Sequence, residues 1–73
     1  MRVLVVGAGR LGAQVIEQLR KNPGIEVVVA DPHEKPEALA SGVIEKVDLR
    51  VHMTALNCAE VVEAVKPDIV FLA

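Results

Sequence analysis

The stretch Gly7-Ala8-Gly9-Arg10-Leu11-Gly12 follows an uninterrupted apolar run, Val3 to Val6, and decides the interpretation of the whole chain. Four consecutive Val and Leu residues stopped by glycine are typical of a strand that is buried on both faces. We expect Gly7 to allow a tight exit from this strand and Gly9 to let another molecule approach the backbone. Gly12 should let the helix that follows pack closely against the strand.

The rest of the chain alternates apolar strands with helices. The predicted strands are Val3–Val6, Ile25–Ala30, Val43–Val51 and Ile69–Leu72. The predicted helices run from the glycine turn to about Lys21, from Pro36 to Ala40, and from Ala55 to Lys66 with Thr54 as N-cap. The last helix presents one apolar face, made of Leu56, Ala59, Val62 and Val65. This order predicts an α/β fold with an open parallel sheet, β-α-β-α-β-α-β, and the strand order 3-2-1-4. The first two helices should cover one face of the sheet and the third helix the other.

The composition is unusually apolar for so short a chain. Of its 73 residues 52% are hydrophobic, and a single Phe is the only aromatic. The Ile69–Leu72 strand would form an apolar edge of the sheet with an incompletely covered face. We therefore expect residues 1–73 to be the N-terminal part of a larger domain and protein. We also expect this chain by itself to be marginally folded or to associate into a homo-oligomer.

Charge and cysteine content exclude several classes of function. The net charge is -2 and the basic residues are scattered, which argues against a nucleic-acid partner. The single cysteine suits a reducing compartment, and no apolar stretch is long enough for a signal peptide or a membrane span. The expected location is the cytoplasm. His52 and Cys58 are too few to close a zinc site, and no residue is a catalytic candidate.

The candidate site combines the turn with one acidic residue. A helix N-terminus offers free N–H groups and a positive dipole end to phosphates. Asp31 ends the second strand, where a carboxylate can accept hydrogen bonds from a ribose diol. The predicted cofactor-binding residues are Gly7, Gly9, Arg10, Leu11, Gly12 and Asp31.

Each of these residues also has a structural interpretation. The glycines could simply make a tight connection, and Asp31 could begin a turn with Pro32. Arg10 could bind a phosphate or be a solvated side chain. His33 and Lys35 are interpreted as surface loop residues.

Met1 to Asp31 resembles the N-terminal βαβ unit of NAD(P)-dependent Rossmann oxidoreductases, with Gly7, Gly9, Gly12 and Asp31 at the fingerprint positions. The openings of the dihydrodipicolinate reductase and aspartate dehydrogenase families are similar to the stretches Gly9–Gly12 and Pro23–Val27. The resemblance implies a dinucleotide cofactor, NAD in preference to NADP, because Asp31 would repel a 2′-phosphate. It also implies a substrate domain that follows this segment. Because that domain would supply the chemistry, only cofactor binding is carried over, and no catalytic residue.

Two other classes of protein stay open at this stage. One is a regulatory nucleotide sensor of the kind that gates potassium transport, which would use the same turn and Asp31. The other is the leading domain of an ATP-grasp ligase, which shares an open parallel sheet. The later segment, Ala64 to Val70, resembles those ligases at least as well as it does dehydrogenases.

Overall fold

A computed structural model describes the whole chain, Met1–Ala73. Its strands are β1 (Arg2–Val6), β2 (Glu26–Ala30) and β3 (Ile69–Leu72), and its helices are α1 (Arg10–Arg20), α2 (Glu37–Ala40) and α3 (Cys58–Val65). The chain is therefore α/β, as predicted. None of the three helices combines the length and the apolar character that crossing a bilayer would require.

The sheet has three parallel strands in the order β2-β1-β3. The prediction of four strands in the order 3-2-1-4 is wrong, because Val43–Val51 does not form a strand. Only Leu49 pairs with the sheet, through one isolated parallel bridge to Ala30. Part of the reason is that the Asp48 carboxylate accepts the Val29 N–H at 2.8 Å, a group that a neighbouring strand would otherwise bind. A side chain thus takes one ladder position at this edge of β2, beside the two backbone hydrogen bonds that Leu49 makes.

Alternating side chains of β1 divide the apolar core into two layers. Val3 and Val5 pack with Ile16 of α1 and Ala38 of α2 on one face. Leu4 packs on the other face with Ala30 and with Val65 of α3. The predicted placement of two helices on one face and one on the other is confirmed.

The start of α3 differs from the prediction. The helix begins at Cys58, about one turn later than expected, with Asn57 rather than Thr54 at its N-cap. Thr54 instead stabilises the preceding turn, where its Oγ1 accepts the Leu56 N–H at 3.2 Å and its own N–H donates to Asn57 Oδ1 at 2.8 Å. Leu56 consequently lies outside the helix and is 97% exposed, whereas Val65 is buried.

Strand β3 is the least covered part of the sheet. All four of its residues are exposed, and Leu72 at its end is 74% exposed. Its backbone pairs with β1 alone. The expectation of an apolar edge strand with an incompletely covered face is confirmed.

Helix α1 approaches the end of β1 more closely than any side chain would permit. A Cβ built on Gly12 would lie 2.0 Å from the carbonyl oxygen of Gly7. Because that oxygen belongs to the backbone, it cannot swing aside. Gly12 therefore sets the distance between α1 and the turn, as the sequence predicted.

We predict that Gly12→Ala lowers the free energy of unfolding by about 1–3 kcal/mol or more, through overpacking against backbone. Urea denaturation followed by circular dichroism measures the change. Gly9→Ala is the matched control, because a Cβ at Gly9 meets nothing within 4 Å. It should cost less, since only the preference at the helix N-cap changes. Equal losses for the two variants would contradict the packing role of Gly12.

Candidate functional site

The predicted site residues meet at the carboxyl ends of the parallel strands. Residues 7–9 leave β1 there, and Asp31 follows β2 directly. The Gly7 N–H donates to the carbonyl oxygen of Ala30 at 2.8 Å, which joins the end of β2 to the start of the turn. In open parallel sheets, ligands bind beside these strand ends. The structure thus brings Asp31 to the glycine turn.

The three glycines of the turn meet different demands. Gly7 has a φ of +102°, in the left-handed region that favours glycine, and a Cβ there would lie 3.0 Å from the Ala73 carbonyl oxygen. Gly12 is required by packing, as described above. Gly9 has an ordinary φ of -73° and open space where its Cβ would be. Glycine is a common residue at a helix N-cap, and the missing side chain also leaves the backbone open to close approach by a ligand.

The N-terminus of α1 has no acidic side chain in its own first turn, and Gly9 supplies no capping side chain. The N–H groups of that turn therefore lack partners within the helix. Arg10 is the first helical residue and is exposed, so its charge adds to the positive end of the helix dipole. Leu11 beside it is 57% exposed and is not part of the buried core.

Asp31 connects β2 to the glycine turn. Its side chain is only 6% exposed. Its Oδ2 accepts the Ala8 N–H at 2.7 Å, and its Oδ1 accepts the His33 N–H at 2.8 Å. Ala8 is itself fully buried, and its carbonyl oxygen accepts the Ala38 N–H at 2.9 Å. The middle of the turn is therefore held from two sides.

The environment of Asp31 favours its charged form. Burial by itself would raise the pKa of this carboxyl group. The hydrogen bonds donated by the Ala8 N–H, the His33 N–H and the His33 ring outweigh burial and hold the pKa below the ordinary value for aspartate. Asp31 is thus a buried carboxylate that stays ionised at neutral pH.

His33 belongs to the site, although the sequence indicated only a surface loop residue. Its ring is 77% exposed, which fits that interpretation, but Nδ1 lies 2.8 Å from Asp31 Oδ1. The bond from its backbone N–H to the same oxygen is an Asx turn, which an Asp-Pro-X segment favours. The Asp31-Pro32-His33 segment could therefore have indicated this contact, because an Asx turn brings the third residue close to the carboxylate. Lys35 makes no hydrogen bond or ion pair with Asp31.

Two clefts of the molecule lie away from this site. One, of about 350 Å³, lies between the end of α1 and β2 beside Arg20 and Asp48. Another, of about 500 Å³, lies at the amino ends of the strands beside Arg2 and Asp68. Cavity size alone would favour these clefts for a ligand. Both carry charges of mixed sign. The turn also has charges of both signs, on Arg10 and Asp31, but it adds the free N–H donors of a helix N-terminus. We therefore favour the turn as the ligand site, because backbone N–H donors at a helix N-terminus can bind an anion without a deep cleft.

No group of three or more His, Cys, Asp or Glu side chains is arranged to hold a metal ion. Comparison of the chain with known protein families, curated proteins and solved structures found no match.

We predict that Asp31→Asn lowers the free energy of unfolding at neutral pH by about 1–3 kcal/mol. The amide of Asn has only one oxygen, so its NH2 group would point at one of the N–H donors that now bind the carboxylate. The folded-state pKa of Asp31 is lowered, so the stability from its charge is present above the ordinary range of aspartate. It is lost as the pH falls through the folded-state pKa. The difference in the free energy of unfolding between wild type and Asp31→Asn should therefore become smaller below about pH 4.

Urea denaturation of both proteins, from neutral pH to below about pH 4, measures this difference in the free energy of unfolding. Glu34→Gln is the matched control, because Glu34 is exposed and its side chain makes no hydrogen bond. If the difference in the free energy of unfolding between wild type and Asp31→Asn stayed constant with pH, the charge of Asp31 would not stabilise the turn.

Proposed function

We propose that this chain binds NAD(H) through the glycine turn and Asp31, as the cofactor-binding part of an NAD-dependent oxidoreductase. The observation that carries the proposal is the open face of Gly9 in front of an uncapped helix N-terminus, beside a buried carboxylate. This arrangement supplies the two kinds of group that a dinucleotide needs. It offers N–H donors for the pyrophosphate and an acceptor for the adenosine ribose.

The pyrophosphate would lie over Gly9. There the N–H groups of the first turn of α1 can donate to its oxygens, and no side chain of the turn stands in the way. Arg10 is exposed at the same end of the helix, so its guanidinium can reach a phosphate oxygen. Leu11 offers an exposed apolar surface next to it. Gly7 and Gly12 hold the turn in the shape that leaves Gly9 open.

The ribose would bind at Asp31. An ionised carboxylate accepts about four hydrogen bonds, and this one receives three from within the chain. The remaining position, on Oδ2, can accept a ribose hydroxyl. A 2′-phosphate would instead place negative charge beside a buried carboxylate, which is unfavourable in a region of low dielectric constant. The site therefore favours NAD over NADP.

The nicotinamide ring of bound NAD would supply hydride chemistry. The residues described here bind and orient the adenosine half and the pyrophosphate. We assign the reaction and the substrate to a further domain. This division is the one that the resemblance to Rossmann oxidoreductases implies.

We predict that the chain binds NAD at least about tenfold more tightly than NADP, because of the charge of Asp31. Isothermal titration calorimetry with both dinucleotides on the wild-type chain measures the difference. The wild-type comparison is cleaner than a variant of Asp31, because that residue also holds the turn. Equal or tighter binding of NADP would show that His33 and Lys35 outweigh the effect of Asp31. Failure to bind either dinucleotide would contradict the proposed function.

A further inference from the structure

The two oxygens of the Asp31 carboxylate are unequally occupied. Oδ2 accepts one hydrogen bond, from the Ala8 N–H. Oδ1 accepts two, from the backbone N–H and the ring Nδ1 of His33, each at 2.8 Å. Because each carboxylate oxygen accepts about two hydrogen bonds, Oδ1 is saturated and Oδ2 has room for one more. A ribose diol has two hydroxyl groups to donate.

The three donors differ in how easily they can leave. The Ala8 N–H is fixed, because Ala8 is fully buried and bound on its other side by Ala38. The His33 N–H is part of the backbone of a tight turn. The His33 ring is a side chain that is 77% exposed and makes no other side-chain hydrogen bond. Rotating it away therefore loses little packing and one hydrogen bond to a carboxylate oxygen.

The protonation of the ring follows from its partner. An ionised carboxylate has no proton to donate, so the hydrogen between Nδ1 and Oδ1 belongs to Nδ1. The exposed ring thus acts as a donor on the same oxygen that a second ribose hydroxyl would need. It also covers part of a carboxylate that is otherwise almost inaccessible.

We propose that His33 is a removable cover on Asp31 that competes with the ribose for Oδ1 and so tunes the affinity and selectivity of the site. This inference rests on the proposed function, since it assumes that Asp31 receives a ribose. With the ring in place, Asp31 accepts one hydroxyl group on Oδ2. With the ring turned away, it accepts two. His33 is therefore a positioning residue that acts through Asp31 rather than through the ligand.

The cover predicts a specific change in selectivity. In the wild-type chain, NAD and its analogue lacking the 2′-hydroxyl of the adenosine ribose should bind with similar affinity, because the second hydroxyl group gains one hydrogen bond to Oδ1 only by displacing the one from the His33 ring. In His33→Ala the second position opens, and only NAD can fill both. The ratio of the two affinities should then rise by about threefold to tenfold, the value of one hydrogen bond.

Calorimetric titration of both ligands into wild type, His33→Ala and His52→Ala tests this. His52 is the matched control, because it is also an exposed histidine and its ring makes no hydrogen bond. His52→Ala should leave the ratio unchanged. A merely structural role of His33 would change both affinities together and leave the ratio alone, which would overturn the proposal.

The outcomes separate the two proposals. If wild type binds NAD but His33→Ala leaves the ratio unchanged, the cover is wrong and the proposed function stands. If no variant binds NAD, both fail. A second measurement follows the ring itself, through nitrogen NMR of the His33 imidazole. Addition of NAD to the wild-type chain should remove the Nδ1–H bond to Asp31, and an unperturbed ring in the NAD-bound chain would contradict the cover.

Discussion

The hydrogen bond from the Ala8 N–H to the buried Asp31 carboxylate is the interaction on which the rest of this molecule depends. It joins the loop after β1 to the end of β2, at 2.7 Å and almost out of contact with water. A hydrogen bond to a charged acceptor is about twice as strong as a neutral one, and here the neighbouring donors keep that charge in place. Since Ala38 binds the carbonyl oxygen of Ala8, the same residue also fixes the loop to α2. The turn is therefore held at Ala8 by both β2 and α2.

The three glycines of this turn meet separate structural demands. Gly7 has the positive φ and Gly12 the close contact between α1 and the turn. Ala8 holds the loop, and Gly9 beside it is exposed, with no atom within 4 Å of where its Cβ would be. A preorganised turn loses little conformational freedom on binding, so a rigid anion site is favoured over a flexible one. The proposed ribose site would use the same Asp31 oxygens that accept hydrogen bonds from Ala8 and His33.

The elements that the sequence predicted well are those whose signals are local. β1, β2 and β3 are apolar runs, and the glycine turn determines where α1 begins. The segment Val43–Val51 also looks like a strand, but whether it pairs depends on what Asp48 does with the edge of β2. A side-chain carboxylate that takes a ladder position is a tertiary event, and no periodicity in the sequence reports it.

The start of α3 and the contact of His33 with Asp31 could not be predicted for the same reason, because both depend on side-chain contacts that form only in the folded chain. Thr54 can cap either a helix or a turn, and only its contacts with Leu56 and Asn57 decide for the turn. The positions of the candidate site residues were easier to predict, because glycine and aspartate at strand ends have specific backbone preferences. The sequence placed Asp31 at the turn but did not reveal that the carboxylate already has three donors.

The central claim is that a dinucleotide phosphate lies on the open face of Gly9, and replacing that residue tests it most directly. Gly9→Asp places a carboxylate at the helix N-cap, where it favours the helix and repels a phosphate. Gly9→Asn has nearly the same shape and capping ability without the charge. Calorimetry with NAD should show at least about a tenfold weaker affinity for the Asp variant than for the Asn variant, while thermal melting shows both folded. Equal NAD affinity in the two variants would place the phosphates elsewhere and contradict the account.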